Sequence, residues 1–111
     1  TSSNEDLVLR LFEAAIGSMW EGFDMLEENK KVEAIDPLQH SRSIFTELMV
    51  SLNHDEGGEI TTQLHQLYVF LIREVSRSGF DGDAERLQGA IRVAENLYNG
   101  FQVAFDGEED G

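Results

Sequence analysis

Residues 44–68 read Ile-Phe-Thr-Glu-Leu-Met-Val-Ser-Leu-Asn-His-Asp-Glu-Gly-Gly-Glu-Ile-Thr-Thr-Gln-Leu-His-Gln-Leu-Tyr. Before the break, Phe45, Leu48 and Leu52 recur at three- and four-residue spacing, continuing a stripe that begins at Leu38 and Ser41. After it, Ile60, Leu64, Leu67 and Tyr68 repeat the same spacing and lead on to Leu71 and Val75. Apolar residues at these intervals line one face of a 3.6-residue helix, and the alternation of a strand is absent. The interruption, Asn53-His54-Asp55-Glu56-Gly57-Gly58, is the clearest break in the chain, because paired glycines supply backbone angles that other residues resist. The stretch therefore reads as two helices joined by a hinge at Gly57-Gly58.

Working outward, Asp36-Pro37 is a candidate start for the helix before the hinge: aspartate accepts from the first turn, and proline there forfeits no bond it would have made. A variant starts near Lys31 and kinks at Pro37. Further upstream, Ser2 with Glu5 three residues on has the form of a capping box, opening a helix from about Asn4 to about Glu28. Its apolar face is Val8, Leu11, Phe12, Ala15, Met19, Phe23 and Leu26. Downstream, Ser78-Gly79-Phe80-Asp81-Gly82-Asp83 ends the third helix, and Asp83 caps a fourth that carries Ala84, Leu87, Ile91, Ala94, Tyr98, Phe101 and Phe105. Tyr68 and Tyr98 lie on inward stripes. These four segments with short connections predict an all-α fold, an antiparallel up-down four-helix bundle. Residues 1–105 form its single domain, and residues 106–111, with no apolar side chain, form an acidic disordered tail.

Composition narrows the function. The 111 residues hold 22 Asp plus Glu against 8 Lys plus Arg, a net charge of −14, with 41 % apolar content and no cysteine. That apolar content suits a folded core rather than a disordered chain. Without cysteine there is neither a disulfide framework nor a thiolate metal site. The acidic surface repels phosphate backbones and anionic lipid, so nucleic acid and membrane surfaces are poor partners. No apolar run approaches the roughly 20 residues of a membrane span, no signal peptide is present, and the chain starts at Thr1.

Sites for chemistry are sparse. Di-iron bundles need Glu-x-x-His pairs, and the residues three before His40, His54 and His65 are Pro37, Ser51 and Thr62. No two histidines are spaced for zinc. Asp81-Gly82-Asp83 begins like a calcium loop, but Arg86 and Arg92 occupy the glycine and final-ligand positions. His40 or His65 would have to serve a histidine phosphotransfer domain, and neither is followed by the Lys-Gly usual there. No catalytic, metal or cofactor residue is assigned, and the chain does not read as an enzyme.

What remains is apolar surface off the inward stripes. Leu9 and Trp20 lie about 100° or more from the stripe centre of the first helix, with Ile16 bridging. Val50 points almost opposite the core, Val69 and Phe70 flank the exposed side of the third helix, and Val93, Leu97 and Val103 do so on the fourth. Apolar grooves between helices accept an amphipathic helix from a partner. The candidate protein-binding residues are accordingly Leu9, Trp20, Val50, Val69, Phe70 and Leu97, and a generic helix-binding adaptor is the reading that stays closest to the residues.

The hinge and its flanks also resemble the flagellar export chaperone family FliS. Glu47, Leu48, Ser51, Leu52, Gly57, Gly58, Glu59, Ile60, Leu64, Leu67 and Tyr68 fall on its pattern in register, and Leu7, Leu11, Phe12, Glu13, Ala15 and Ile16 match its opening segment. The likeness runs from about Thr1 to Phe105. Ala14 stands where the family shows glycine, and the family's N-terminal Tyr-containing segment, which can cover the binding cleft, has no counterpart before Thr1. The resemblance implies a cytoplasmic bundle that holds the disordered C-terminal segment of flagellin, blocks premature polymerisation and delivers it to the flagellar type III export gate. A homodimer is the expectation when the client is absent, since open apolar grooves are costly in water.

Overall fold

The computed structural model describes residues 3–110, and side chains as far as Gly107. Four helices follow one another: α1 (Asn4–Glu27), α2 (Ile35–Val50), α3 (His54–Asp81) and α4 (Ala84–Asp110). Each packs on its neighbours in the chain and α4 closes on α1, while α2 and α4 stand at opposite corners. Phe12 meets Phe45 and Phe101, Ser18 meets His40, and Leu38 approaches Gly79, so each neighbouring pair runs antiparallel. This is the expected all-α up-down bundle, a rod of 47 × 25 × 22 Å.

The core is made of the periodic residues. Phe12, Ala15 and Met19 of α1, Phe45 of α2, Leu71 and Val75 of α3, and Leu87, Ile91 and Ala94 of α4 are fully buried. Burying one large apolar side chain contributes about 1.5–3 kcal/mol relative to leaving it exposed, so these positions carry the fold. Small residues set the spacing between helices. Leu38 occupies the space that a Cβ at Gly22 would need, and its other flank faces Gly79. Ser41 and Ser78 are buried in the same seams, their hydroxyls donating to the carbonyls of Leu38 and Glu74.

Helix ends account for most differences from the sequence-based expectation. Ser2 lies outside the described residues, and the cap of α1 is Ser3, whose Oγ accepts from the Asp6 amide at 3.1 Å. At the other end Asn29 takes φ 60°, with Lys30 N–H donating to Met25 O and Asn29 N–H to Leu26 O. That is a Schellman closure, and asparagine tolerates the left-handed position almost as glycine does. α2 starts at Ile35, before Asp36-Pro37, with Ala34 at the cap position. Pro37 still falls in the first turn, where backbone amides have no helical partner to lose.

The hinge differs more. Residues 54–57 are helical, because Asn53 caps them by accepting from the Asp55 amide and Asp55 and Glu56 sit at the positive end of the helix dipole. The break falls on Gly58 alone, at φ 55° and ψ −130°. Ile60, expected on the inward stripe, is 67 % exposed just beyond that kink. α3 runs on through Ser78, Gly79 and Phe80 and stops at Gly82 (φ 67°), and Asp83 then caps α4 as expected, accepting from the Arg86 amide at 3.0 Å. Tyr68 is buried, whereas Tyr98 is only half-buried. α4 extends to Asp110, into the segment read as tail.

Gly58 has open space around it but a backbone angle that L side chains resist. Gly58→Ala is expected to lower unfolding stability by about 1–3 kcal/mol through strain. Gly89→Ala, in open space within α4, should raise it by up to about 1 kcal/mol through helix propensity. Thermal unfolding of the two variants beside the parent checks both signs.

Candidate functional site

Among the described residues no group of His, Asp and Glu is arranged to hold a metal ion. His40 is engaged by Ser18, Oγ to Nδ1 at 2.7 Å, and the His54 and His65 rings meet edge to face at 5.6 Å across the start of α3. No helix of the described residues is long and apolar enough to cross a membrane. The features left for function are surface apolar side chains and the grooves between helices.

The six candidate binding residues do not converge on one pocket. Leu9 is half-buried on α1. Trp20, also on α1, packs its ring edge against Phe23 and points Nε1 to the Glu95 carboxylate of α4 at 3.4 Å. Val50, the last residue of α2, is 75 % exposed. Val69 is 40 % exposed, and its neighbour Phe70 rests on the core with the Arg73 guanidinium over its ring at 5.9 Å. Leu97 of α4 packs against the core. The antiparallel register set by Leu38 beside Gly79 and Arg42 bonded to Ser76 brings Val50 level with the middle of α3, where Val69 and Phe70 lie. Those three therefore share one level of the rod, while Leu9, Trp20 and Leu97 belong to the α1 and α4 side.

Apart from Val69, midway along α3, the large exposed apolar side chains gather toward two ends. Leu7, Val50, Ile60 and Val103 lie where α1 begins and α4 finishes. Val32, Ile35 and Phe80 lie at the other end, around the α1–α2 and α3–α4 connections. There a groove of about 540 Å³ opens between the start of α2 and the end of α3, floored by Leu38 and Val75 and flanked by Ile35 and Phe80. A second depression of about 530 Å³ continues from Phe80 along α3 toward Arg86. A third, of about 470 Å³, is more polar and lies between α1 and α4 beside Tyr98.

Sequence reasoning missed Val32, Ile35 and Phe80 because each sat in a segment read as a connection. A signal was available at Phe80: a bulky aromatic between Gly79 and Gly82 has little reason to stand in a solvated turn.

The geometry defines a class of protein: a helical bundle with an enclosed apolar core and shallow apolar grooves open on its surface. The comparisons with known proteins agree. Residues 1–108 match the family described as Flagellar protein FliS. The chain is also 26 % identical over 98 residues to the flagellar secretion chaperone FliS of Salmonella typhimurium strain LT2, covering 87 % of this chain and 73 % of that protein. The chain belongs to the FliS family of flagellar chaperones, and so to a family of binding proteins rather than enzymes. That assignment sets aside the phosphotransfer alternative for His40 and His65.

Two tyrosines report on the packing around α1, Tyr68 from α3 and Tyr98 from α4. The Tyr98 hydroxyl donates to the Glu13 carboxylate, and this bond raises its pKa from the ordinary 10.0. Burial pushes Tyr68 up to about 12. Folded values above the unfolded one mean stability that is complete below pH 10 and is lost as pH rises toward about 12. Glu13→Gln is expected to bring the Tyr98 titration down while leaving that of Tyr68 in place, as read by tyrosinate absorbance.

Proposed function

We propose that this chain is a cytoplasmic export chaperone for flagellin: it binds the disordered C-terminal segment, keeps it from polymerising early and helps deliver it to the flagellar type III export apparatus. The observation that carries this reading is the set of large apolar side chains left exposed on every helix of a bundle whose core is otherwise closed. Scattered exposed apolar residues are ordinary on any surface. In a family of flagellar secretion chaperones, a set at both ends of the rod suits a long client that lays short amphipathic helices on successive faces. No groove here is deep enough to swallow such a client, so wrapping is the mode the shape favours.

The energetics suit release. A disordered client loses about 2–5 kcal/mol of gross contact energy in becoming ordered. A large footprint with moderate affinity follows, as a carrier that must surrender its cargo at the export gate requires. The acidic shell has a part as well, since it disfavours nucleic acid and crowding by other copies while leaving an uncharged amphipathic segment free to dock. With the client absent, the same open surface favours a homodimer.

Leu9, Trp20, Val50, Val69, Phe70 and Leu97 remain the residues assigned to this contact. Trp20→Ala and Phe70→Ala should each weaken binding of a flagellin C-terminal peptide about fivefold or more, the range of good interface anchors. Both side chains also touch the core, so Val50→Ser, which removes no packing, is the third variant in the calorimetry. Unchanged affinity in all three would remove the site assignment. A flagellin peptide that fails to bind the parent protein would remove the function.

A further inference from the structure

The eight cations of this chain are not spread evenly. Lys31 and Arg42 line the groove between α2 and α3, and Arg73, Arg77 and Arg86 line the depression that continues from it. Five of the 8 Lys and Arg residues thus border one continuous surface, while among the described residues the carboxylate lining it is Glu74, with Asp81 paired to Arg77 at its edge. Phe80 stands where the two depressions meet, 76 % exposed, with Lys31 Nζ 5.5 Å from its ring centre.

The fold uses only part of this arrangement, Arg42 donating to Ser76 Oγ at 3.0 Å between α2 and α3. The side chains of Arg73 and Arg77 are 68 % and 65 % exposed, and their contacts to Glu74 at 3.9 Å and Asp81 at 3.8 Å are within α3. Exposed pairs of that kind add little stability. Only Arg86, bonded to Glu74 at 3.0 Å, ties α4 to α3. A net charge of −14 does not erase the local sign either. At physiological salt a charge is screened beyond about 8 Å, so a ligand in the groove feels its rim rather than the whole molecule.

We propose that this surface is a docking site for an acidic amphipathic segment of a partner polypeptide, with an apolar anchor seated beside Ile35 and Phe80 and flanking carboxylates on Lys31, Arg42, Arg73, Arg77 and Arg86. Charge complementarity selects that occupant. An acidic segment is repelled by most of the molecule and finds five of the eight cations gathered here, whereas a basic segment is drawn to the carboxylates elsewhere. A volume of about 540 Å³ falls in the range of sites that enclose small ligands, which fits a few anchor side chains with the rest of the segment lying on the rim. Exposed aromatics and arginines are the side chains that dominate such contacts. The site is independent of the flagellin assignment, which rests on other residues.

The test uses the full chain and two labelled helical peptides with one apolar pattern, leucines at i, i+3, i+4 and i+7, whose polar positions are all Glu in one and all Lys in the other. Fluorescence anisotropy should show the Glu peptide binding with an affinity that falls as salt is raised. Arg77→Glu and Phe80→Ser should each weaken it about tenfold. Arg10→Glu, the same change of net charge on α1, should leave it within about twofold. The proposal is overturned if the Glu peptide does not bind, if Arg10→Glu weakens it as much as Arg77→Glu, or if Phe80→Ser has no effect. It is also overturned if the Lys peptide, rather than the Glu peptide, is the one that Phe80→Ser releases. Sedimentation that shows a dimer abolished by Phe80→Ser, with no Glu-peptide binding, would assign the groove to a second copy instead.

Discussion

One side chain joins all four helices. The Phe12 ring of α1 lies 6.0 Å from Phe45 of α2, 6.1 Å from Tyr68 of α3 and 5.4 Å from Phe101 of α4, all in tilted or edge-on geometry. Aromatic pairs in such arrangements contribute about 0.5–1.5 kcal/mol each beyond the area they bury. More important here is that the contact locks register: with Phe12 in place, no helix can slide by a turn without losing its ring partner. The position of every surface feature follows, because the level at which Val50 stands beside α3, or Ile35 beside Phe80, is set by that lock and by Leu38 held between two glycine-bearing helices.

A bundle closed at its centre in this way has its spare apolar surface toward the ends. The middle of the rod is sealed by large side chains. The last turns carry Leu7, Val50, Ile60 and Val103 at one extremity and Val32, Ile35 and Phe80 at the other. Membership of a flagellar chaperone family and this distribution point the same way, since a carrier needs a rigid frame and loosely covered faces at once. A reaction centre would need convergent polar groups in an enclosed space, and here the buried hydroxyls of Ser41 and Ser78 are spent on helix carbonyls.

The bundle was legible in the sequence because burial and periodicity coincide at Phe12, Phe45, Leu71 and Ile91, where hydropathy alone marks the inward face. Gly22 and Ser78 were not legible as core residues, since small side chains carry no hydropathy signal and are buried for the closeness they permit. The start of α3 was misjudged for a related reason. Asn-His-Asp-Glu looks like a polar loop by composition, yet an asparagine cap followed by two carboxylates is good chemistry for a helix N-terminus. Ile60 keeps the four-residue spacing to Leu64, but it stands in the first turn after the Gly58 kink and is exposed there. The groove beside Phe80 could not be read at all, because its walls come from segments far apart in sequence and its charge is visible only once α2, α3 and α4 are packed.

Charge gives the rod a direction that its shape lacks. At the Phe80 end five cations line the grooves, interleaved with the exposed carboxylates Glu33, Asp36 and Asp81, whereas Leu7, Val50 and Ile60 at the other end stand near Asp6, Glu47 and Glu59 with no such lining of cations described. Seating an apolar group beside an unpaired carboxylate strips water from that charge, which is costly unless the arriving segment replaces the lost hydration. Salt confines such local fields to about 8 Å, so the five cations that line the two depressions act on what enters them and little beyond. The two depressions that meet at Phe80 thus combine shallow apolar ground with a charged rim rather than a deep pocket.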